Sequence, residues 1–214
     1  MRIVRFLGKL LISVGVGVLL FVAWTLWGTG LYYSGQQDSL REEFAKLPAR
    51  ATSSDRPGTP PRGFNPRPGQ PVFLLRIPAI DVDQVVVEGV GVDDLRRGPG
   101  HYPSCRGEFT KPLCTEFPEA WPGERGRVIV SGHRTTYGAP FWDLNKLKVE
   151  DRIHIETKWG DFTYEVTKKE LVLPDSPAVV IQELDERELA LTTCNPRFSA
   201  AQRLIVYATL ASFS

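Results

Sequence analysis

The chain has 214 residues, of which 42% are hydrophobic and 24% are charged. This length accommodates one globular domain with appendages, whereas two full domains would be a tight fit. The formal net charge of +1 offers no basic surface for nucleic acid, so no nucleic-acid partner is expected.

The N-terminal stretch is apolar and free of charge from Leu10 to Tyr33, long enough to cross a hydrocarbon core of about 30 Å as one helix. Arg2, Arg5 and Lys9 precede it, so the positive-inside rule predicts a single-pass membrane protein with a cytoplasmic N-terminus. We expect residues 1–9 to be cytoplasmic and residues 10–33 to form the anchor. A cleaved signal peptide is disfavoured because no A-x-A-like site follows. Four aromatic residues would form an outer interfacial belt: Trp24, Trp27, Tyr32 and Tyr33.

Residues 34–71 read as a stalk and a Pro-rich linker. Leu40, Phe44 and Leu47 recur at helical spacing behind a capping candidate at Asp38 or Ser39, which predicts a short amphipathic helix over 36–47. Residues 48–71 carry seven prolines and three glycines. This composition is typical of a spacer that buries no core.

From residue 72 to residue 214 the pattern changes to short β-rich runs separated by Gly, Pro and Asp. Helical periodicity is weak there, apart from a short turn around Asp143–Lys148. Such a pattern indicates an all-β barrel or sandwich. The seven runs are VFLLRI, VDQVVVEGV, RVIVSG, RIHIET, DFTYEVTKKELVL, ELALTT and RLIVYATL.

The chain has three cysteines, an odd number that in an exported protein suggests one disulfide and one free thiol. Cys105 and Cys114 share the loop-like stretch SCRGEFTKPLC, so we predict that they pair and leave Cys194 free. A pairing of Cys194 with either loop cysteine stays open. His101 and the two loop cysteines could ligate zinc, but a fourth ligand is missing, so no metal is expected.

One set of residues could carry cysteine chemistry, which needs a thiolate, an imidazole and an oxyanion donor. Cys194 ends the run ELALTT and Arg203 opens RLIVYATL, so antiparallel pairing of these runs would bring the two together. His133 follows RVIVSG at a strand end, where loops build sites. A buried structural cysteine and a solvated arginine would show the same spacing. His154 is expected on the solvent side of its strand.

The stretches LTTCNPRFSAAQRL and SGHRTTYGAPFWDLNKL resemble the two signature regions of sortases. RIPAIDVDQVVVEGV, LRRGPGHYP and WPGERGRVIVSGHR are similar to early barrel segments of that family, so the resemblance covers roughly residues 72–210. HRTTYGAPF together with TTCNPRFSAAQR is most similar to class E, found in high-GC Gram-positive bacteria. Ala190 stands where the family commonly has threonine, and the insertion carrying Cys105 and Cys114 also departs from its pattern.

The resemblance implies a closed eight-stranded β-barrel with short helices, preceded by the transmembrane helix, and no cofactor. It implies that Cys194 is the nucleophile, His133 the acid and base, and Arg203 the oxyanion donor. The implied substrate is a surface protein whose C-terminal LAxTG-like or LPxTG-like sorting signal is cleaved between Thr and Gly. A thioacyl group on Cys194 would pass to an amine of a peptidoglycan precursor. Weaker candidates for substrate contacts are Thr192, Thr193, Tyr102 and Tyr137.

Two other functions fit the same residues. A membrane-anchored cysteine peptidase would let water resolve the thioester, which makes the protein a hydrolase. A non-catalytic, wall-binding β-barrel would carry Cys194 as an ordinary thiol.

Overall fold

The computed structural model describes residues 2–48, 58–181 and 185–214. The N-terminal part of the predicted spacer, residues 49–57, lies outside these ranges. The side chain of Trp27, assigned to the aromatic belt, also lies outside the described set.

The N-terminal segment is helical throughout. Helix α1 spans Arg2–Ala23, a π-helical segment spans Trp24–Gly28, and helix α2 spans Thr29–Lys46. None of the residues of α1 is buried, and this helix is long and apolar enough to cross a membrane by length and composition. A transmembrane anchor therefore remains the interpretation of α1, with its orientation a prediction.

Helix α2 packs against the protein that follows it. Leu40 and Phe44 are buried with Leu74, Val85 and Val87 in one hydrophobic cluster. Tyr33 is buried as well, and its hydroxyl donates a hydrogen bond to Gln84 Oε1 at 2.8 Å. The expectation that Tyr33 faces a membrane interface is therefore wrong.

The helix also begins earlier than predicted, since Asp38 and Ser39 lie inside α2 rather than at its start. Part of the Pro-rich segment belongs to the folded unit too. Phe64 contacts Trp121 and Trp159 edge-to-face, with ring centroids 4.9 Å and 5.1 Å apart. The expectation that residues 48–71 bury no core is therefore wrong at Phe64, which packs against the barrel core.

The described residues form a closed barrel of eight strands. The strands are β1 (Pro71–Ile77), β2 (Val82–Glu88), β3 (Gly100–His101), β4 (Gly126–Ser131), β5 (Arg152–Glu156), β6 (Asp161–Val172), β7 (Arg187–Asn195) and β8 (Gln202–Phe213). Their order around the barrel is β1-β2-β3-β4-β7-β8-β6-β5. The barrel closes through antiparallel pairing of β1 with β5, and β4 pairs in parallel with β7. Seven of the strands correspond to the seven predicted runs.

Strand β3 was not predicted, because two residues give no periodicity to read. Short helices complete the fold: helix α3 (Val92–Arg97) lies between β2 and β3, and 3₁₀ turns span Pro78–Ile80, Leu144–Lys146 and Pro177–Val179. The turn at Leu144–Lys146 confirms the one predicted around Asp143–Lys148.

Alternation along β7 separates two apolar clusters. Leu189 and Leu191 point into the barrel and join its main core. Ala190 points outward and joins Ile205 and Tyr207 in a second cluster on the outer face. That outer cluster is partly covered by the segment 178–180 between β6 and β7. The outer face of β4, β7 and β8 is therefore a sheltered surface.

Candidate active site

A cleft of about 290 Å³ opens on this outer face, at the end of β7 where the outer cluster stops. Cys194, His133 and Arg203 all line it. Strand alternation explains the location, because Cys194 shares its face of β7 with Ala190 and Arg203 shares its face of β8 with Ile205. The residues line the cleft together with Val90, Leu95, Tyr102, Pro112, Leu113, Ser131, Gly132, Pro174, Val179, Thr192 and Thr193.

Cys194 is the partner of Arg203 in the antiparallel register of β7 and β8. Residues directly opposite each other in such a pair have Cβ atoms about 4.5–5.5 Å apart. Cys194 is partly exposed and is a free cysteine. The structure thus has the hairpin geometry that the spacing of these two residues suggested.

His133 is held at the same edge by the parallel pairing of β4 with β7. Ser131 is in register with Thr192, and the backbone N–H of Gly132 continues the ladder by donating to the Thr192 carbonyl at 3.0 Å. Gly132 also lies against Phe141, since a β-carbon there would approach the ring to 2.6 Å. His133 therefore leaves the sheet at a fixed point two strands away from Arg203.

The His133 ring is partly buried and lies 5.2 Å from the ring of Tyr137, with the two planes inclined at 37°. Its Nε2 atom is buried and has no hydrogen-bond partner among the described residues. Burial, and then the positive charge of Arg96, lower the pKa of His133. The neutral ring is favoured, with one nitrogen free to exchange a proton.

The guanidinium of Arg203 is turned toward the loop between β7 and β8. Its Nη1 donates to the carbonyls of Ala200 at 3.1 Å and Gln202 at 3.2 Å. Both contacts involve one nitrogen, and the side chain is partly exposed on the cleft wall. Arg203 is thus placed to meet a bound ligand, while its loop contacts hold one of its two terminal nitrogens.

Arg134, which the sequence reasoning did not single out, lies directly behind the cysteine. It is 5% exposed, and its Nη1 donates to the Cys194 carbonyl at 3.2 Å and to Asn195 Oδ1 at 2.9 Å. It also donates to Asn145 Oδ1 at 2.8 Å and to the Trp142 carbonyl at 3.4 Å. One guanidinium thereby ties the loop after β4 to the residue that carries the thiol.

Desolvation, followed by the nearby charge of Arg197, lowers the pKa of Arg134, while Asp143 and the Cys194 thiolate act in the opposite direction. A buried positive charge therefore lies within electrostatic range of Cys194. The signal for Arg134 in the sequence was its position immediately after His133 in SGHRTTYGAPF.

The four predicted substrate contacts are not equivalent. Thr192, Thr193 and Tyr102 line the cleft, but Thr193 Oγ1 already donates to the Gly132 carbonyl at 2.7 Å and Tyr102 Oη donates to the Pro112 carbonyl at 2.7 Å. Thr192 Oγ1 is buried and has no partner within the described ranges. Tyr137 lies on the other side of His133, in a separate groove with Trp142 and Phe198.

Cys105 and Cys114 form a disulfide, and the loop that it closes supplies Pro112 and Leu113 to the cleft wall. His101 is therefore not joined by cysteine ligands. Its Nδ1 lies 2.8 Å from Glu88 Oε2, and its Nε2 lies 3.2 Å from the Ala120 carbonyl. Burial acts to lower the pKa of His101, but the charges of Glu88 and Glu119 and the hydrogen bonds to Glu88 and Ala120 together raise it.

Glu88, His101 and Glu119 present possible ligand atoms within 4.8 Å of one another. However, the guanidinium of Arg106 binds both carboxylates. A cation would have to displace this guanidinium, so the group is an ion-pair network beneath the disulfide loop.

The fold and the cleft define an all-β protein with a thiol on the outer face of a closed barrel, opposite an arginine and beside a histidine. The Sortase domain model matches residues 75–211. The chain belongs to the sortase family.

Two curated relatives match different shares of the chain. It is 34% identical to Sortase D of Bacillus subtilis over 67% of this chain and 66% of that protein. It is 32% identical to Sortase SrtE1 of Streptomyces coelicolor over 95% of this chain and 56% of that protein. The chain thus spans about two thirds of the length of Sortase D and about half of the length of Sortase SrtE1. The crystal structure of Sortase E1 from Streptomyces coelicolor with a tripeptide in the active site aligns with a TM-score of 0.58 and 29% identity, covering 70% of this chain and 93% of that one.

Proposed function

We propose that the protein is a membrane-anchored cysteine transpeptidase that cleaves a C-terminal LAxTG-like or LPxTG-like sorting signal between Thr and Gly. The observation that carries the proposal is the cleft on which Cys194, His133 and Arg203 converge. The tripeptide in the active site of Sortase E1 from Streptomyces coelicolor supports a peptide substrate. The similarity to two sortases of that organism supports a class E activity.

The first half of the reaction forms a thioester. The thiolate of Cys194 attacks the carbonyl carbon of the threonine in the signal, and the oxygen gains negative charge that Arg203 is placed to stabilise. The bond from this carbon to the glycine nitrogen then breaks. His133, which takes up the proton of the Cys194 thiol before the attack, gives this proton to the departing amine, and the threonine acyl group stays on sulfur.

The second half releases the acyl group. An amine of a peptidoglycan precursor attacks the thioester carbon, the carbon–sulfur bond breaks, and His133 takes a proton from the incoming amine. The anchor keeps the enzyme at the extracytoplasmic face of the cell membrane, where both the surface protein and the wall precursor are available. Water in place of the amine would make the protein a peptidase.

The test incubates the full chain in detergent micelles with LAxTG and LPxTG peptides, with and without an amine acceptor, and reads products by mass spectrometry. A transpeptidase gives an acyl adduct on Cys194 and an acceptor-linked product, and Cys194→Ala gives neither. Only hydrolysed peptide in the presence of acceptor would support the peptidase. The absence of any adduct, with a Cys194 that reacts with thiol reagents no faster than an ordinary thiol, would support the non-catalytic wall-binding barrel.

A further inference from the structure

Helix α2 is held against the barrel along one face. Tyr33, Gln37, Leu40 and Phe44 are the buried residues of this helix and follow one another at spacings of four, three and four. The Gln37 amide fixes the register, because its Oε1 accepts from the Val85 N–H at 2.7 Å while its Nε2 donates to the Val85 carbonyl at 3.1 Å. The helix is therefore docked at a defined position on β2.

At the N-terminal end of this face, Tyr33 contacts the loop that follows β4. A β-carbon at Gly138 would overlap the Tyr33 ring, so the ring lies directly on the backbone of that residue. Gly138 has a backbone φ of +69°, which residues other than glycine rarely adopt. The Tyr33 hydroxyl is meanwhile fixed by Gln84 on β2. Position 138 must be glycine for the helix and the loop to meet.

The same loop carries His133 and is conformationally strained. Tyr137 and Ala139, on either side of Gly138, have φ values of 48° and 44°. Three consecutive residues in the left-handed region persist only where the surroundings hold them. Tyr137 stacks on His133, and its hydroxyl accepts a hydrogen bond from Arg96 Nε at 3.2 Å. Tyr33 supports this loop from below, one residue away from the ring that contacts His133.

We propose that Tyr33 is a positioning residue for His133, acting through Gly138 and Tyr137, so that the helix leading out of the apolar segment forms part of the support of the active site. The inference rests on the proposed catalytic role of His133. Tyr33 lies more than 90 positions before His133 in the chain and outside the family-model match of residues 75–211.

The test compares Tyr33→Leu with Phe44→Leu in the full chain. Both changes shorten an aromatic residue on the same buried face of α2, but Phe44 packs on the cluster with Leu74 and Val85, away from the histidine loop. Acylation by a sorting peptide should fall about 10- to 100-fold in Tyr33→Leu, the range expected when a catalytic group is misplaced by an ångström or less. Phe44→Leu should stay within about twofold of the wild type at matched folded fraction.

A second readout does not depend on activity. The chain has three histidines, so the His133 ring can be followed by NMR as pH is varied. The titratable and charged groups around it are Tyr137 from its own loop and Arg96 from α3, and Cys194 from β7 and Arg203 from β8 line the same cleft. Because burial holds its pKa down, loosening of the loop in Tyr33→Leu should raise the pKa of His133 toward its ordinary value, and Phe44→Leu should leave it unchanged.

Two more variants sharpen the result. Tyr33→Phe keeps the ring on Gly138 and should retain most of the activity, whereas Gly138→Ala attacks the same contact from the loop and should reproduce Tyr33→Leu. Equal effects of Tyr33→Leu and Phe44→Leu on acylation, or an unchanged His133 titration in Tyr33→Leu, would overturn the proposal. If the wild type forms no adduct, the proposed function fails, and the NMR comparison still decides whether Tyr33 positions the ring.

Discussion

Cys194 on β7 lies directly across from Arg203 on β8, with both side chains on the outer face of the barrel. Because of this pairing, Arg203 is the cation that the carbonyl oxygen of an acyl group on Cys194 would meet in the cleft. A lysine would not be equivalent at this position, because a guanidinium can hold two oxygens at once while an ammonium is a point charge.

Arg203→Lys is therefore expected to lose most of the acylation rate despite retaining its charge. Removal of one oxyanion donor typically costs about 10²–10³ in rate, or roughly 3–4 kcal/mol. Cys194→Ala should abolish the reaction, and His133→Ala should nearly do so. The measurement is the single-turnover rate of adduct formation by mass spectrometry. Full activity in Arg203→Lys would transfer the donor role to a backbone amide.

Arg96→Gln should raise the pKa of His133. The positive charge of Arg96 disfavours the imidazolium, so its removal allows the ring to hold its proton to higher pH. If His133 acts as the acid in the slow step, the alkaline limb of the pH–rate profile moves up with it.

Arg97→Gln is the matched control for this prediction, because Arg97 is the next residue of α3 but donates to Gly69 and Gln36 instead of to Tyr137. NMR titration of His133 in both variants is the measurement. A shift of the same size in both would mean that general loosening of α3, and not the Arg96 charge, sets the pKa of His133.

Arg134→Met should impair both stability and acylation. The substitution removes the buried guanidinium that donates to the Cys194 carbonyl and to two asparagine side chains, and a hydrogen bond to a charged group contributes about 1.5–3 kcal/mol. Denaturant unfolding and adduct formation are measured together. Arg197→Gln serves as control, since Arg197 also donates to the Trp142 carbonyl but is partly exposed. Equal loss of acylation in the control would contradict a specific role of Arg134 behind the thiol.

Reduction of the Cys105–Cys114 disulfide should weaken one wall of the cleft. The closed loop is short, so its loss is expected to cost on the order of 2–3 kcal/mol by loop entropy. A non-reducing peptide map of protein made under oxidising conditions should show the two cysteines linked. The Cys105→Ser/Cys114→Ser double variant should bind the sorting peptide more weakly, since Pro112 and Leu113 line the cleft. Two free thiols in the map would contradict the pairing.

A chain that begins at Pro71 should be much less stable than one that begins at Thr29. The shorter form loses Leu40 and Phe44, and burial of each such side chain contributes about 1.5–3 kcal/mol. The combined loss of about 3–6 kcal/mol is a large fraction of the stability of a typical domain, roughly 5–15 kcal/mol. Denaturant unfolding of the two truncated forms is the measurement. Equal midpoints would show that α2 adds nothing to the fold.

The strands were predictable where the chain alternates or runs apolar for five residues or more. Strand β3 was not, because Gly100 and His101 pair with β2 and β4 only through contacts distant in sequence. The pairing of Cys194 with Arg203 could be anticipated because a short connection joins two alternating strands, which leaves few possible registers.

Packing partners were the part that sequence could not supply. The spacing of Leu40 and Phe44 predicts an amphipathic helix, but it does not say which surface covers the apolar face. Arg134 stands in the quoted signature beside His133, yet its hydrogen-bond partners Asn145 and Asn195 come from a 3₁₀ turn and from the end of β7, which are distant in sequence. Tyr33 was assigned to a membrane interface because an aromatic residue after an apolar run looks the same whether lipid or protein covers it.

The helical path from Arg2 to Lys46 has no break between the apolar segment and the face that docks on β2. Its 45 residues correspond to roughly 65 Å of helical rise, so the barrel is joined to α1 by a continuous helix and not by a flexible linker. If α1 spans a bilayer, the tilt of this helix sets the height of the cleft above the lipid. The number of residues between a substrate's own membrane segment and its cleavage motif would then decide whether that motif reaches Cys194.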